Sequence, residues 1–272
     1  MLVFNCLSYT VVQYGLFLLA LLFLSLMIYT IVKKISRIAG KVFFVIVISG
    51  FLYGALCEYP RFDFFGLVRN GVATEEKLIA LTFDDGPSAK YTPIILNELN
   101  KNKSHATFFV TGENAEKHPE IIKEIVRNGN ELGNHTYSHS FMFKDLSKLR
   151  REEIIKADDV VYKITGEHMK YFRAPYEYRD VRLIKLLRRM GYIYISHNES
   201  TLDAMGASSE RITDQVLKKL KPGKIFLMHD ARGNREETVK ALKVLLPRLR
   251  KMGYRAVTID ELIQAKKLQY IN

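Results

Sequence analysis

From residue 78 onward, short apolar runs alternate with amphipathic stretches of helical period, and the alternation repeats about seven times. Few architectures satisfy such a pattern. Each helix covers a face of the strands, so consecutive strands run parallel in a sheet buried on both sides. The predicted strands are 78–83, 106–110, 131–134, 171–173, 192–196, 225–228 and 256–258. Helical patterns lie between them. "HPEIIKEIVRNG" has proline near its start and Gly129 as its stop, and "LSKLRREEIIKADDVVYKITG" ends at Gly166. "RDVRLIKLLRRMG" ends at Gly191, and "SSERITDQVLKKLKPG" has a serine N-cap and a glycine stop. "REETVKALKVLLPRLRKMG" carries Pro247 inside it, which predicts a kink. No GxGxxG or Walker pattern follows any strand, and the runs are short for a doubly wound nucleotide fold. A barrel-like α/β arrangement fits better, with chemistry at the C-terminal ends of the strands. Asp84, Asp85, His135, Arg173 and His229 all fall at such ends.

The first 60 residues are a different material. Between Val11 and Val32 there is no charge, and only Gln13 is strongly polar. A basic loop, "KKISRIAGK", and a second apolar stretch from Val42 follow. The expectation is a transmembrane helical hairpin over about 10–32 and 42–57, then a linker over 61–76 and a globular domain over 77–272. The first run is too long for a cleaved signal and lacks a basic start. The positive-inside rule puts the basic loop in the cytoplasm, so the expected protein is a multi-pass cell-membrane protein with an extracytoplasmic domain. If only the first helix spans, the domain becomes cytoplasmic. Membrane lipid is then an expected partner.

The formal net charge is +12, and from Val72 onward 35 basic residues face 27 acidic ones. The basic residues are scattered and interleaved with acids, as in "KLRREEIIKADD". That is solvated helix surface, so nucleic acid is not an expected partner. The two cysteines, Cys6 and Cys57, support neither a zinc knuckle nor a disulfide framework. A metal site in this chain must use histidines and carboxylates.

Two adjacent carboxylates, Asp84 and Asp85, end the apolar run "LIALTFDDGPS". Like charges side by side at the end of a buried strand repel and lose solvation, so a cation is the natural counterpart. In "NHTYSH", His135 and His139 stand four apart, a spacing that puts both imidazoles on one side of a helical turn. Two imidazoles plus one carboxylate make a three-ligand site whose open position suits a catalytic water. In that division Asp85 binds the metal and Asp84 takes the water's proton. Arg173, in "YFRAPY", can orient the base carboxylate. His229, in "IFLMHD", can protonate a leaving amine. His105, His118 and His168 read as surface residues, and His197 as a candidate substrate contact.

At these residues the sequence resembles the NodB-homology polysaccharide deacetylases, carbohydrate esterase family 4. TFDDGP stands intact at Thr82 to Pro87, H-[ST]-x-x-H at His135 to His139, R-x-P-Y at Arg173 to Tyr176, and L-x-H at Leu227 to His229. The resemblance covers about 78–262. It implies a distorted (β/α)7-type barrel holding zinc, or a similar divalent ion, through Asp85, His135 and His139. It also implies Asp84 as base, His229 as acid and Arg173 as the residue orienting Asp84. The Tyr176 backbone N–H would stabilise the oxyanion, and Leu227 would line the acetyl pocket. The family's Asp-Trp motif is best matched at "STLDAM", where Asp203 would tune His229 and Ala204 replaces the tryptophan. Glu177 stands where glycine often follows R-x-P-Y. Both departures lie at the substrate groove.

Three functions are compatible with this reading. The first is metal-dependent N-deacetylation of an N-acetylated glycan, of peptidoglycan or poly-N-acetylglucosamine type. The second is deacetylation or deformylation of a lipid-linked amino sugar. The third is a non-catalytic carbohydrate-binding homologue, which the intact Asp84, Asp85, His135 and His139 argue against.

Overall fold

The computed structural model describes residues 19–30, 37–58, 68–69, 71–140 and 147–269. The chain divides into two compact units, Met1–Phe64 and Phe65–Asn272.

In the first unit, α1 covers 19–30 and α2 covers Arg37–Glu58. Among the described residues no helix is long and apolar enough to cross a membrane. The expected hairpin is corrected accordingly, and with it the multi-pass membrane placement from which the extracytoplasmic domain followed. The reason is length. α2 contains Arg37 and Lys41 in its opening turns and ends at Glu58. The uncharged stretch 42–57 is 16 residues, roughly 24 Å of helix against a hydrocarbon core of about 30 Å. Part of the first expected span, 10–18 and 31–32, lies outside the described residues.

The second unit is built on a nine-stranded sheet. Its strands are β1 (Val68–Arg69), β2 (Leu78–Asp84), β3 (Thr107–Val110), β4 (Glu131–Asn134), β5 (Tyr171–Phe172), β6 (Ile193–Ile195), β7 (Glu199–Ser200), β8 (Ile225–His229) and β9 (Arg255–Val257). Their spatial order is β1-β6-β5-β4-β3-β2-β8-β7, with β9 also against β2, and every pair is parallel. The end strands β1 and β7 do not pair. The sheet nonetheless curls: Gly71, just past β1, bridges Lys224, and a β-carbon on it would lie 2.8 Å from Asn198, just before β7. The observed form is therefore a curled parallel α/β sheet, wider than the seven strands read from the sequence. β2 at its centre is buried at every position, as expected of a strand covered on both faces.

The helices are α3 (Thr92–Lys101), α4 (Gly112–Lys117), α5 (Pro119–Arg127), α6 (Ser147–Thr165), α7 (Val181–Arg189), α8 (Ser209–Lys218), α9 (Glu236–Lys251) and α10 (Ile259–Gln269). Each apolar stripe faces inward: Ile122 and Ile125 on α5, Leu183 and Leu187 on α7, and Leu242, Leu245, Leu246 and Leu249 on α9 are buried. Each such side chain contributes about 1.5–3 kcal/mol relative to exposure. Ser208 caps α8, its Oγ accepting from the Arg211 N–H. α9 continues as one helix through Pro247.

Close packing under the site leaves no room at Gly133 in β4. A β-carbon there would lie 2.4 Å from Cδ1 of the fully buried Phe109, whose ring centroid is 4.2 Å from the Arg173 guanidinium. Gly133→Ala should lower unfolding free energy by about 1–3 kcal/mol, the usual range for overpacking, measured as a lower urea midpoint at unchanged slope.

Candidate active site

The C-terminal ends of neighbouring strands deliver the reactive side chains to one place. β2 ends in Asp84, which lies in register with His229 at the end of β8. β4 hands over to His135 and β5 to Arg173. After β4 the chain does not make the helical turn that the four-residue histidine spacing suggested. It forms a loop with Thr136 at φ 67° and His139 at φ 56°. Asn134 holds the start of this loop, its Oδ1 accepting from Thr136 N–H and its Nδ2 donating to Ile154 O. Glu153 of α6 holds the rest, accepting from the Tyr137 and Ser138 N–H groups and the Ser138 hydroxyl. Left-handed turns, braced by buried polar contacts, thus aim both imidazoles at Asp85, itself at φ 75°.

Asp85, His135 and His139 each offer a donor atom within 4.8 Å of the others. Asp85 Oδ1 is 2.9 Å from His139 Nε2 and 3.5 Å from His135 Nε2, yet it has no hydrogen-bond partner. A buried carboxylate oxygen facing two imidazole nitrogens, with no hydrogen-bond partner of its own, fits a bound cation, and the donor set fits a divalent metal. His135 Nδ1 lies 2.7 Å from the Arg173 carbonyl, a contact made by its N–H, so Nε2 keeps its lone pair. Burial lowers the His139 pKa despite Asp85 beside it, favouring the neutral imidazole that a metal needs. Burial alone would raise the Asp85 carboxyl, but the two imidazoles outweigh it and hold the group well below the usual carboxylate range.

Asp84 stands apart from this trio. Its Oδ1 accepts from Arg173 Nη1 at 2.7 Å, and its Oδ2 is 3.9 Å from His135 Nε2. Arg173 is fully buried and also donates to Thr82 Oγ1 at 2.7 Å. On the other flank, His229 Nδ1 lies 2.9 Å from Asp203 Oδ1, while Asp203 Oδ2 accepts from the His229 N–H and the Thr238 hydroxyl. Burial would lower His229, but the Asp203 contact outweighs it and the pKa is raised. For Asp203, burial pulls upward and His229 outweighs it, leaving the carboxyl lowered. Both effects favour an imidazolium–carboxylate pair.

The remaining predicted residues border this cluster. The Tyr176 ring is 5.0 Å from that of His139 and is exposed. Leu227 is buried in β8 between Thr82 and Ser200. Ala204 is exposed, and its N–H donates to Asp203 Oδ1. His105 pairs with Glu261, His168 stacks on Tyr162, and His118 forms the junction of α4 and α5; none joins the site. Residues that the sequence did not bring forward support it: Thr82, Asn134, Glu153, Thr238, and Arg235, whose Nη1 donates to Asp203 O. Only Glu177 carried a signal, an acid where the family often has glycine.

Comparison with known proteins agrees with this geometry. The polysaccharide deacetylase family matches residues 71–195. Two peptidoglycan-N-acetylglucosamine deacetylases of Bacillus cereus are similar. One is 37% identical over 190 residues, 70% of this chain and 69% of the relative. The other is 36% identical over 203 residues, 74% of this chain and 95% of the relative. The crystal structure of the Bc1960 peptidoglycan N-acetylglucosamine deacetylase superposes with a TM-score of 0.70 at 34% identity, covering 73% of this chain and 93% of that one. With the motifs, the strand-end cluster and these relatives in agreement, the chain belongs to the polysaccharide deacetylase family and is a hydrolase of carbon–nitrogen amide bonds.

Proposed function

We propose that this protein removes acetyl groups from N-acetylated amino sugars of a cell-wall glycan, peptidoglycan in particular. The observation that carries the reading is the convergence of Asp85, His135 and His139 within 4.8 Å, with Asp84 beside them on Arg173. The relatives' activity on peptidoglycan N-acetylglucosamine supports the choice of substrate.

A divalent cation held by Asp85, His135 and His139, Zn2+ by the character of the donor set, would supply Lewis acidity to the amide carbonyl and acidify a water. The chain's own groups do the rest. Asp84 accepts the proton of the water that adds to the acetyl carbon, and Arg173 fixes its carboxylate toward that water. The Tyr176 backbone N–H stabilises the oxyanion, and Leu227 receives the acetyl methyl. His229, oriented through Nδ1 by Asp203, gives a proton from Nε2 to the sugar nitrogen as the carbon–nitrogen bond breaks. Acetate and a free amine leave.

Acetate release from purified peptidoglycan, poly-N-acetylglucosamine oligomers and a polyprenyl-linked N-acetyl sugar tests the reading. Release from peptidoglycan is expected to be fastest; release from the lipid-linked sugar alone would overturn the glycan assignment, and release from none would overturn the activity.

The Asp203–His229 pair sets a pH limit. An acid must be protonated, and its raised pKa keeps His229 charged to higher pH; activity falls as pH rises through that value. Asp203→Asn removes the charge that raises His229. The alkaline limb of kcat/KM should move to lower pH, with kcat at pH 8 falling about 10–100-fold. An alkaline limb that stays in place would remove His229 from the acid role.

A further inference from the structure

The donors of Arg173 are spent on two strand ends. Nη1 serves Asp84 and Thr82, while Nε donates to Ile195 O at 3.2 Å and Nη2 to Ser196 O at 3.3 Å. A second carboxylate reaches this guanidinium. Glu177 Oε1 lies 3.8 Å from Arg173 Nε, on the edge away from the Asp84 contact. Glu177 is also bound to the chain leaving β6: its Oε2 accepts from the Ser196 hydroxyl at 2.7 Å, and its Oε1 meets His197 Nδ1 at 2.8 Å. Arg173 and Glu177 therefore grip the same segment, 195–197, one through carbonyls and the other through side chains.

The backbone at Glu177 sits at φ 55°, a left-handed conformation that a β-carbon disfavours. Glycine would be relaxed there. The chain instead holds a glutamate, at the end of the short turn Pro175–Glu177 whose middle residue, Tyr176, packs on His139. Strain that persists at a reactive site is retained by contacts, and here the contacts lead to Arg173.

We propose that Glu177, held by Ser196 and His197, is a positioning residue of the deacetylation: it fixes the Arg173 guanidinium against Asp84 and the turn carrying Tyr176 beside His139. The inference rests on the reading of Asp84 as the base. The guanidinium plane is fixed by Asp84 on Nη1 and by the Ile195 and Ser196 carbonyls on Nε and Nη2, and Glu177 ties down the segment that carries those carbonyls while placing a charge beside Nε. Burial would raise the Glu177 carboxyl, but His197 and Arg173 outweigh it and hold it at about 2, so it is ionised wherever Arg173 needs a partner.

The test uses the full chain. Glu177→Gln keeps the size and an acceptor for Ser196 but drops the charge. It should lower kcat about tenfold on the glycan that the wild type accepts, with KM within about twofold. His197→Asn, which keeps a donor near Nδ1, should retain most of kcat, while His197→Ala should lose about fivefold. A readout independent of turnover is solvent exchange of the Arg173 Nε–H, assigned by its loss in Arg173→Lys. It should be about tenfold faster in Glu177→Gln. Unchanged exchange, a change in KM alone, or an Asn variant no better than the Ala variant would each overturn the proposal. A wild type that releases no acetate would sink the base assignment, while the exchange comparison would still decide the Glu177 contact. Should Glu177→Gln fail to fold, the two His197 variants decide by the same exchange measurement.

Discussion

Asp84→Asn is expected to cut kcat by about a thousandfold while the protein keeps its fold and its divalent cation. Asparagine has the shape of aspartate, and its Oδ1 can still accept from Arg173 Nη1, the 2.7 Å contact that fixes the side chain. What it cannot do is take a proton. Asp84 is not one of the three groups whose donor atoms converge within 4.8 Å, so its charge is not required to complete that trio. Asp85→Asn should behave differently, since Asp85 Oδ1 faces both imidazoles and the amide replaces the trio's one anionic donor with a weaker, neutral oxygen. The two neighbours thus separate by measurement. Acetate release, metal content by atomic emission and thermal midpoint should show Asp84→Asn inactive but loaded, and Asp85→Asn inactive and depleted. An Asp84→Asn variant within tenfold of wild-type kcat would remove Asp84 from the base role.

Much of this site is legible in the sequence because its pieces are local. Two carboxylates after an apolar strand, paired histidines and an arginine before proline are each short strings, and a parallel sheet puts strand ends side by side. The means of convergence is less legible. The histidine spacing suggested a helical turn, whereas positive φ at Thr136 and His139, braced by Asn134 and Glu153, does the aiming. Such bracing joins residues up to 58 positions apart, as Asn134 to Ile154 and to Tyr192, and leaves no periodic trace. Register is similar: nothing near Asp84 announces that His229 will lie opposite it.

The fold divides in the same way. All seven predicted strands are present, since each is a buried apolar run. β1 and β7, two residues each, are too short to show a period, yet they extend the sheet at both ends. α3, α4 and α10 are not among the helices predicted from the sequence, α4 being only six residues long. Pro247 does not end α9, whose Leu242, Leu245, Leu246 and Leu249 are buried on both sides of it in the sequence. The second apolar stretch misled on quantity: its uncharged part, 42–57, is 16 residues, short for a bilayer.

Stripping the divalent cation with a chelator should reduce acetate release to background, and returning Zn2+ should restore it. The trio predicts how the sites rank. His139→Ala deletes the donor nearest Asp85 Oδ1, at 2.9 Å, and should weaken metal binding by more than the roughly 10–100-fold typical of losing an outer-sphere partner. His135→Ala should do the same and also free the Arg173 carbonyl, which His135 Nδ1 holds at 2.7 Å. Its activity should therefore be harder to rescue by excess metal than that of His139→Ala. Titration of the apo protein with Zn2+, followed by calorimetry and by acetate release in parallel, checks both ranks. Full acetate release from a chelator-treated, metal-free protein would overturn the assignment of Asp85, His135 and His139 as ligands in the reaction. Equal rescue of the two variants would show that the His135–Arg173 contact does not position the arginine that holds Asp84.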